Sequence, residues 1–342
     1  MAKKQSPKKP KIKDIAVATG FSSAAVSYAL SGNGRVSSET RDVVLKVAER
    51  IGFIRDASAV RLRSGRSNLL GAIINDMSNP FFSELLADFE DQAYAQGYLT
   101  IVANSKDDLQ RQSVLLKSLA AQGIAGLLIC PVRGSTAATF NQMSSRGLPM
   151  VVCVRDVGDH VHDYVGFNDH QAGYLAAKHL IRSGAKHIAF IGGFDHTQTW
   201  LDRRSGLLAA LKEANITSIS TMILPGPPTR EFGDYAMTEV RSRFPNCNDV
   251  VCFNDYVALG AYISSHRVGL VVGRDVSIIG IDNVPLAASL HPPLTTVELF
   301  PRTAGRICAQ IMDERLQSKP SLKKRILIEP ELVTRESVKP VK

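Results

Sequence analysis

Seven apolar runs recur between residues 69 and 282: LLGAIIN, YLTIVANS, GLLICPV, PMVVCVRD, HIAFIGG, DVVCFND and VSIIGID. Each is continuous in Val, Ile and Leu instead of alternating with polar residues, and each ends in small or polar residues. A strand covered by helices on both faces reads this way, whereas a strand wet on one face alternates. Stretches such as FFSELLADFEDQAYAQG and AGYLAAKHLIRSG have the composition of the covering helices. The expected fold class is therefore α/β. Seven or more strand-helix units fit two doubly wound parallel-sheet subdomains better than one oversized sheet, and 342 residues suffice for two or three domains. Periodicity does not say how the chain passes between the two, and no solenoid-type repeat is present.

The first 66 residues are of another kind. They carry 14 Lys and Arg against 5 Asp and Glu, while residues 67–342 carry 27 of each, so the whole net charge of +9 sits in the first fifth. That asymmetry points to a polyanionic partner for this segment alone. Part of it lies in AKKQSPKKPKIK, which reads equally as a solvated arm. Three short helices follow. The first runs from about Ile12 to Ala18, with Asp14 in its first turn and Gly20 beyond its end. Ser22 caps a second over Ser23–Leu30, and Ser37 caps a third with Val43, Val44, Val47, Ala48 and Ile51 as its buried stripe. Helix, tight turn, helix and supporting helix make a helix-turn-helix. The second helix is small and polar outside, as entry into a major groove about 12 Å wide demands. Ser23, Ala24 and Tyr28 would face base edges, and Ser22 and Ser27 phosphates. The plainer alternative is a three-helix bundle docked on another domain, which leaves the basic charge without a partner. FIRDASAVRLRSGRSN comes next: a linker, or a hinge that folds on DNA over about Ala57–Arg63 with Leu62 as a minor-groove wedge.

Several classes are disfavoured. No apolar h-region follows the basic start and no run of 18 apolar residues occurs, so neither a signal peptide nor a membrane span is expected, and the chain reads as cytosolic. Cys130, Cys153, Cys247, Cys252 and Cys308 form no CxxC pair and read as reduced core residues. GDHVHD, residues 158–163, with Asp156 just before it, gathers His160, His162 and three carboxylates, but without a further ligand set it reads as a hydrated loop. No phosphate-loop, nucleophile-elbow, zinc-protease or strand-linked dinucleotide motif is found, so neither an enzyme nor a cofactor is expected. A transport-type binding protein suits the core but not the basic headpiece.

The blocks IKDIAVATGFSSAAVSYALSGNGRVSSETRDVVLKVAERIGF, NDMSNPFFSELLADFEDQAYAQGY, HLIRSGAKHIAFIGG, FNDYVALG and VSIIGIDNVPLAASLHPPLTTV follow in order from about residue 11 to 335. Together they resemble the LacI/GalR family of bacterial transcription repressors. SGNGRVS and VCVRD are similar to its maltose-regulon repressor branch.

The resemblance implies a headpiece, a hinge helix, and a periplasmic-binding-protein-like core of two subdomains joined by three crossovers. It also implies a homodimer on a near-palindromic double-stranded operator, controlled by a small sugar-like effector between the subdomains. The implied divisions are a basic arm (1–10), headpiece (11–55), hinge (56–66) and core (67–342). Within the core, one subdomain takes about 67–164 and 293–322, the other about 165–292 and 323–342. By position, Ser23, Ala24 and Tyr28 fall on the base-reading places and Leu62 on the wedge. Ser22, Ser27, Asn33, Arg35 and Ala59 complete the implied DNA contacts. Asn75, Asp76, Phe81, Phe82, Arg155, Trp200, Arg203, Asn254 and Asp282 fall around the effector cleft, at or near the carboxyl ends of expected strands, where open α/β sheets bind ligands. Arg and Asp suit vicinal hydroxyls, and aromatic rings suit apolar sugar faces.

Departures from the family pattern concentrate at the cleft and the hinge. Val154 stands where an aspartate is frequent, Asn283 replaces a second aspartate, and Asn168-Asp169 is reversed. Arg55 and Asp56 replace Pro-Asn, Val60 replaces a frequent arginine, and Lys11 replaces a threonine cap at a cost of roughly 1 kcal/mol. The plainer readings are that Asp282 bonds a loop, that Arg203 is an exposed helix charge, and that Trp200 packs instead of stacking on a ligand. ELVTRESVKPVK at the end has no leucine heptads, so a dimer is expected and not a tetramer.

Overall fold

The computed structural model describes residues 10–32, 36–54, 67–158, 161–216, 221–317 and 322–340. The chain divides into two compact units, residues 1–66 and 67–342. The expected basic arm (1–10, save Pro10), Asn33, Arg35 and the hinge with Ala59 and Leu62 lie outside the described residues.

In the first unit, helix α1 spans Ile12–Thr19, α2 Ser23–Ser31 and α3 Ser38–Arg50. The Ser22 hydroxyl accepts from the Ala25 N–H (3.1 Å) and that of Ser37 from the Thr40 N–H (3.2 Å), which satisfies first-turn amides that would otherwise be orphaned. Lys11 has no cap oxygen on its side chain, but its own N–H donates to the Asp14 carboxylate at 2.7 Å, half of a capping box. Ile15, Val26, Ala29, Val44 and Ala48 form the small core. Val43, expected inside, is 45% exposed, because the buried stripe of α3 is narrower than its valine content suggests.

The second unit holds two six-stranded sheets. The first comprises β1 (Leu69–Ile74), β2 (Leu99–Asn104), β3 (Gly126–Ile129), β4 (Met150–Cys153), β5 (Asp163–Phe167) and β11 (Arg325–Ile328), in the order β11-β5-β4-β3-β1-β2. The second comprises β6 (Ile188–Ile191), β7 (Thr221–Leu224), β8 (Asp249–Cys252), β9 (Ser277–Asp282), β10 (Thr295–Glu298) and β12 (Glu331–Val333), in the order β12-β10-β9-β8-β6-β7. All pairings are parallel except β10 with β12. All seven apolar runs are strands; β3, β4, β6 and β9 are buried end to end, as double coverage requires, whereas β2, at the edge of its sheet, leaves Leu99 and Ile101 exposed and is not covered on both faces.

The chain crosses between the sheets three times: after β5, after β10 and after β11. This corrects the subdomain boundaries expected from sequence. β5, split by a boundary at 164, belongs wholly to the first sheet; β10 belongs to the second, not with 293–322; and β11 belongs to the first, not with 323–342. β11 joins β5 by hydrogen-bond register across more than 150 residues, as Arg325 beside Tyr164 illustrates, and no local pattern encodes that.

Two helices set the geometry of the second subdomain: α7 (Asp169–Arg182) and α8 (Gln198–Glu213). Glycines let their backbones meet. A Cβ on Gly173 would stand 1.9 Å from the Arg203 carbonyl oxygen, and one on Gly206 1.8 Å from that of His170. All five cysteines are buried and free, as expected. His162 is buried against Phe140 and hydrogen-bonded to Ser144 (2.7 Å), so its side chain belongs to the packed interior, while Asp159 and His160 of the same stretch lie outside the described residues.

Candidate functional site

In the headpiece unit, α2 turns Val26 and Ala29 inward and leaves Ser23, Ala24 and Tyr28 exposed, Tyr28 by 52%. The three expected base-facing side chains thus share one open helix face. The Ser22 hydroxyl is engaged as the cap, and Ser27 is half-buried.

In the core unit, the carboxyl ends of both parallel sheets face a common cleft. Its centre, with about 70 Å³ of water-accessible space, is lined by Phe81, Phe82, Arg155, Arg203, Asn254 and Asp282, six of the nine residues expected there. Local structure explains each position. Phe81 and Phe82 open helix α4 (Pro80–Ala95), capped by Asn79, and their rings meet edge to face at 5.4 Å. Asn254 caps α10 (Asp255–Arg267), its carbonyl oxygen accepting from the Val257 N–H at 3.0 Å. Asp282 ends β9 with φ 119°, a left-handed strain that non-glycine residues adopt at a cost and that recurs at functional sites.

Arg203 organises the second-subdomain wall. It is 4% exposed, donates to Asp169 at 2.7 Å and to the Phe253 carbonyl, lies 3.9 Å from Asp282, and places its guanidinium over the Phe253 ring at 4.5 Å. Arg203 is therefore no exposed helix charge. Burial pushes the Asp282 carboxyl well above the usual carboxylate range, against the pull of Arg203; the Asp255 and Asp169 charges push it the same way as burial. Burial likewise raises Asp169, with Arg203 opposing. The reversed Asn168-Asp169 pair thus has distinct tasks: Asn168 caps α7 (3.0 Å to the Gln171 N–H) and Asp169 holds Arg203. Asp255, just behind, is pushed up to about 7 by burial although Thr296 and the Val284 N–H both donate to it.

The other three expected residues lie elsewhere. Trp200 is buried against Phe190 and donates its indole N–H to the Gly192 carbonyl (3.0 Å), so it packs inside the second subdomain. Asn75 is buried and bonded to the Pro131 carbonyl (3.3 Å), and Asp76 closes its own turn by accepting from Ser78. Sequence reasoning missed Asp107, which accepts from both Arg155 (2.5 Å) and Arg133 (3.0 Å). Residues 26 and 48 positions away in sequence leave no local signal of such a pairing.

Two contacts span the cleft. The Tyr256 hydroxyl donates to the Ser78 carbonyl (2.7 Å), and the Arg133 guanidinium lies 3.7 Å from the centre of the Phe194 ring.

Residues 11–56 match the description "Bacterial regulatory proteins, lacI family", and residues 177–338 match "Periplasmic binding protein-like domain". The HTH-type transcriptional repressor PurR of Aliivibrio salmonicida is 32% identical over 329 residues, 96% of this chain and 98% of that protein. The chain belongs to the LacI family. As a LacI-family protein it is a DNA-binding transcriptional regulator with a core built for a small-molecule effector. A ribose-bound LacI-family regulator from Enterococcus faecium superposes on 80% of the chain and all of its own, with TM-score 0.73 and 26% identity. The lac repressor dimer bound to operator and an anti-inducer covers 97% of this LacI-family chain and all of its own at TM-score 0.84 and 21% identity, which shows the shared fold. No helix among the described residues is long and apolar enough to cross a membrane.

Proposed function

We propose that this regulator represses transcription in the bacterial cytoplasm as a homodimer on a near-palindromic operator, and that a sugar-like effector in the cleft controls it. It is not an enzyme. A two-fold dimer presents two copies of α2, and two inverted half-sites match that symmetry. Ser23, Ala24 and Tyr28 read bases; Ser22 and Ser27 reach phosphates; Asn33 and Arg35 complete the headpiece contacts, and Ala59 and Leu62 belong to the hinge contact. The lac repressor's operator-bound dimer and the ribose-bound regulator support the analogy.

The convergence of Phe81, Phe82, Arg155, Arg203, Asn254 and Asp282 on one cleft carries the effector reading. Arg203 and Asp282 offer paired donors and acceptors to neighbouring hydroxyls, Asn254 adds an amide, and the two phenylalanines offer apolar faces. A ligand that favours one separation of the subdomains changes operator affinity, and the operator changes ligand affinity by the same factor.

Selection of a binding sequence from random duplexes, followed by titration of sugars against the protein–DNA complex, tests this reading. A symmetric site, a steep fall of affinity with salt, and an effector response abolished by Asp282→Ala with DNA binding intact are expected. An asymmetric site with flat salt dependence removes the operator reading, and a normal response in Asp282→Ala removes the cleft assignment.

A further inference from the structure

Beside the central cleft, and sharing Arg155 with it, lies a hollow of about 390 Å³. Arg133, Gly134 and Ser135 line it from the loop after β3, Arg155 from the loop after β4, and Thr197 and Gln198 from the start of α8. Among the described residues, Arg133 and Arg155 share one carboxylate, Asp107, which leaves that cluster with one positive charge in excess. Asp156, the carboxylate among the described residues that line it, is engaged by Arg325, and Asp195 nearby is exposed and bonded to His196.

Donor capacity is in surplus as well. Arg155 uses Nη1 for Asp107 and the Pro131 carbonyl, which leaves Nε and Nη2 without a partner among the described residues. A guanidinium carries five N–H donors in a fixed fork suited to carboxylate and phosphate oxygens. The first turn of α8 adds the positive end of a 16-residue helix on the facing wall. A neutral sugar needs none of this charge. Two arginines on one carboxylate in a recess open to ligand cost desolvation that an anion repays.

We propose that the effector bears an anionic group, a phosphate or a carboxylate, which docks between Arg133 and Arg155 while its hydroxyls meet Arg203, Asn254 and Asp282. This rests on the effector reading above and specifies the ligand class. Arg133 also contacts Phe194 across the cleft, so an anion drawn to its guanidinium acts on a contact that spans the two subdomains.

Trp200 is the only tryptophan and lies in the first turn of α8, so its emission reports on this region and not on the headpiece. The full-length protein is titrated with inorganic phosphate, D-glucose, D-glucose 6-phosphate and D-gluconate at constant ionic strength. The expected result is a saturable emission change with phosphate or an anionic sugar, at least tenfold stronger than with glucose. It should weaken at least tenfold in Arg155→Gln and Arg133→Gln and recover in part in Arg155→Lys, which keeps the charge. The phosphate and gluconate arms separate the two anion classes. The proposal is overturned if no anionic probe gives a saturable change, if glucose binds as well as its charged counterparts, or if the response survives both Gln variants. Glucose binding that Asp282→Ala abolishes would overturn the anionic site while leaving the cleft reading in place.

Discussion

Removing the guanidinium of Arg203 should destabilise the core in a pH-dependent way. Arg203→Met keeps most of the side-chain volume and deletes the charge between Asp169 at 2.7 Å and Asp282 at 3.9 Å, all three groups being less than a tenth exposed. Breaking a buried pair by deleting one partner costs about 3–5 kcal/mol, because the remaining charge is left uncompensated. Both carboxyls already sit above their ordinary range through burial, with Arg203 pulling them down. Without it their folded-state pKa values rise further, so the folded variant holds protons that the unfolded chain gives up near pH 4. Stability is therefore lost as pH rises above the unfolded value, and the deficit against the parent is larger at pH 8 than at pH 5. Urea unfolding followed by Trp200 emission should show a midpoint lower by about 1 M or more at pH 8, for a slope near 3 kcal/mol per molar. Adding Asp169→Asn and Asp282→Asn should restore most of the loss. A deficit that is equal at both pH values, or below about 1 kcal/mol, would refute the view that Arg203 balances buried charge.

Three further outcomes follow from the geometry. Gly206→Ala puts a methyl 1.8 Å from the His170 carbonyl oxygen; it should cost about 1–3 kcal/mol and weaken effector binding by moving α8 and Arg203 off Asp169, and unaltered calorimetric melting would contradict this. Asp255, with its carboxyl raised to about 7, makes the protein less stable as pH climbs from about 4 to 7 and has no further effect above; Asp255→Asn should flatten that slope in urea titrations across pH 5–8, and an unchanged slope would assign it to other groups. Tyr28→Ala, at a half-exposed helix position, should alter the selected operator sequence while changing headpiece stability by less than about 0.5 kcal/mol, and an unaltered sequence preference would exclude base reading by this side chain.

Much of this protein is legible locally. The caps Ser22 and Ser37 and the glycine after α1 mark the headpiece helices within a residue or two, because a cap acts on amides only three residues away. Continuous Val/Ile/Leu runs declare strands covered on both faces, and the segregated charge sets the headpiece apart from the core. Six of the nine residues that the family resemblance put around the cleft line one pocket, since strand ends and helix caps fix their positions along the chain.

What only the tertiary structure decided is how residues far apart in sequence pair. Arg203 finds Asp169 across 34 positions because two glycines let α7 and α8 touch, and Asp107 gathers Arg133 and Arg155 because β2, β3 and β4 of one parallel sheet end on the same side of it. The short strands β5, β10, β11 and β12 are assigned to sheets by register over long separations, which is why the subdomain boundaries escaped the sequence reading. A local pattern reports which groups must be buried or capped, whereas the partner that neutralises a buried charge is chosen by three-dimensional packing, and many residues of the same chemistry are equivalent until the chain has folded.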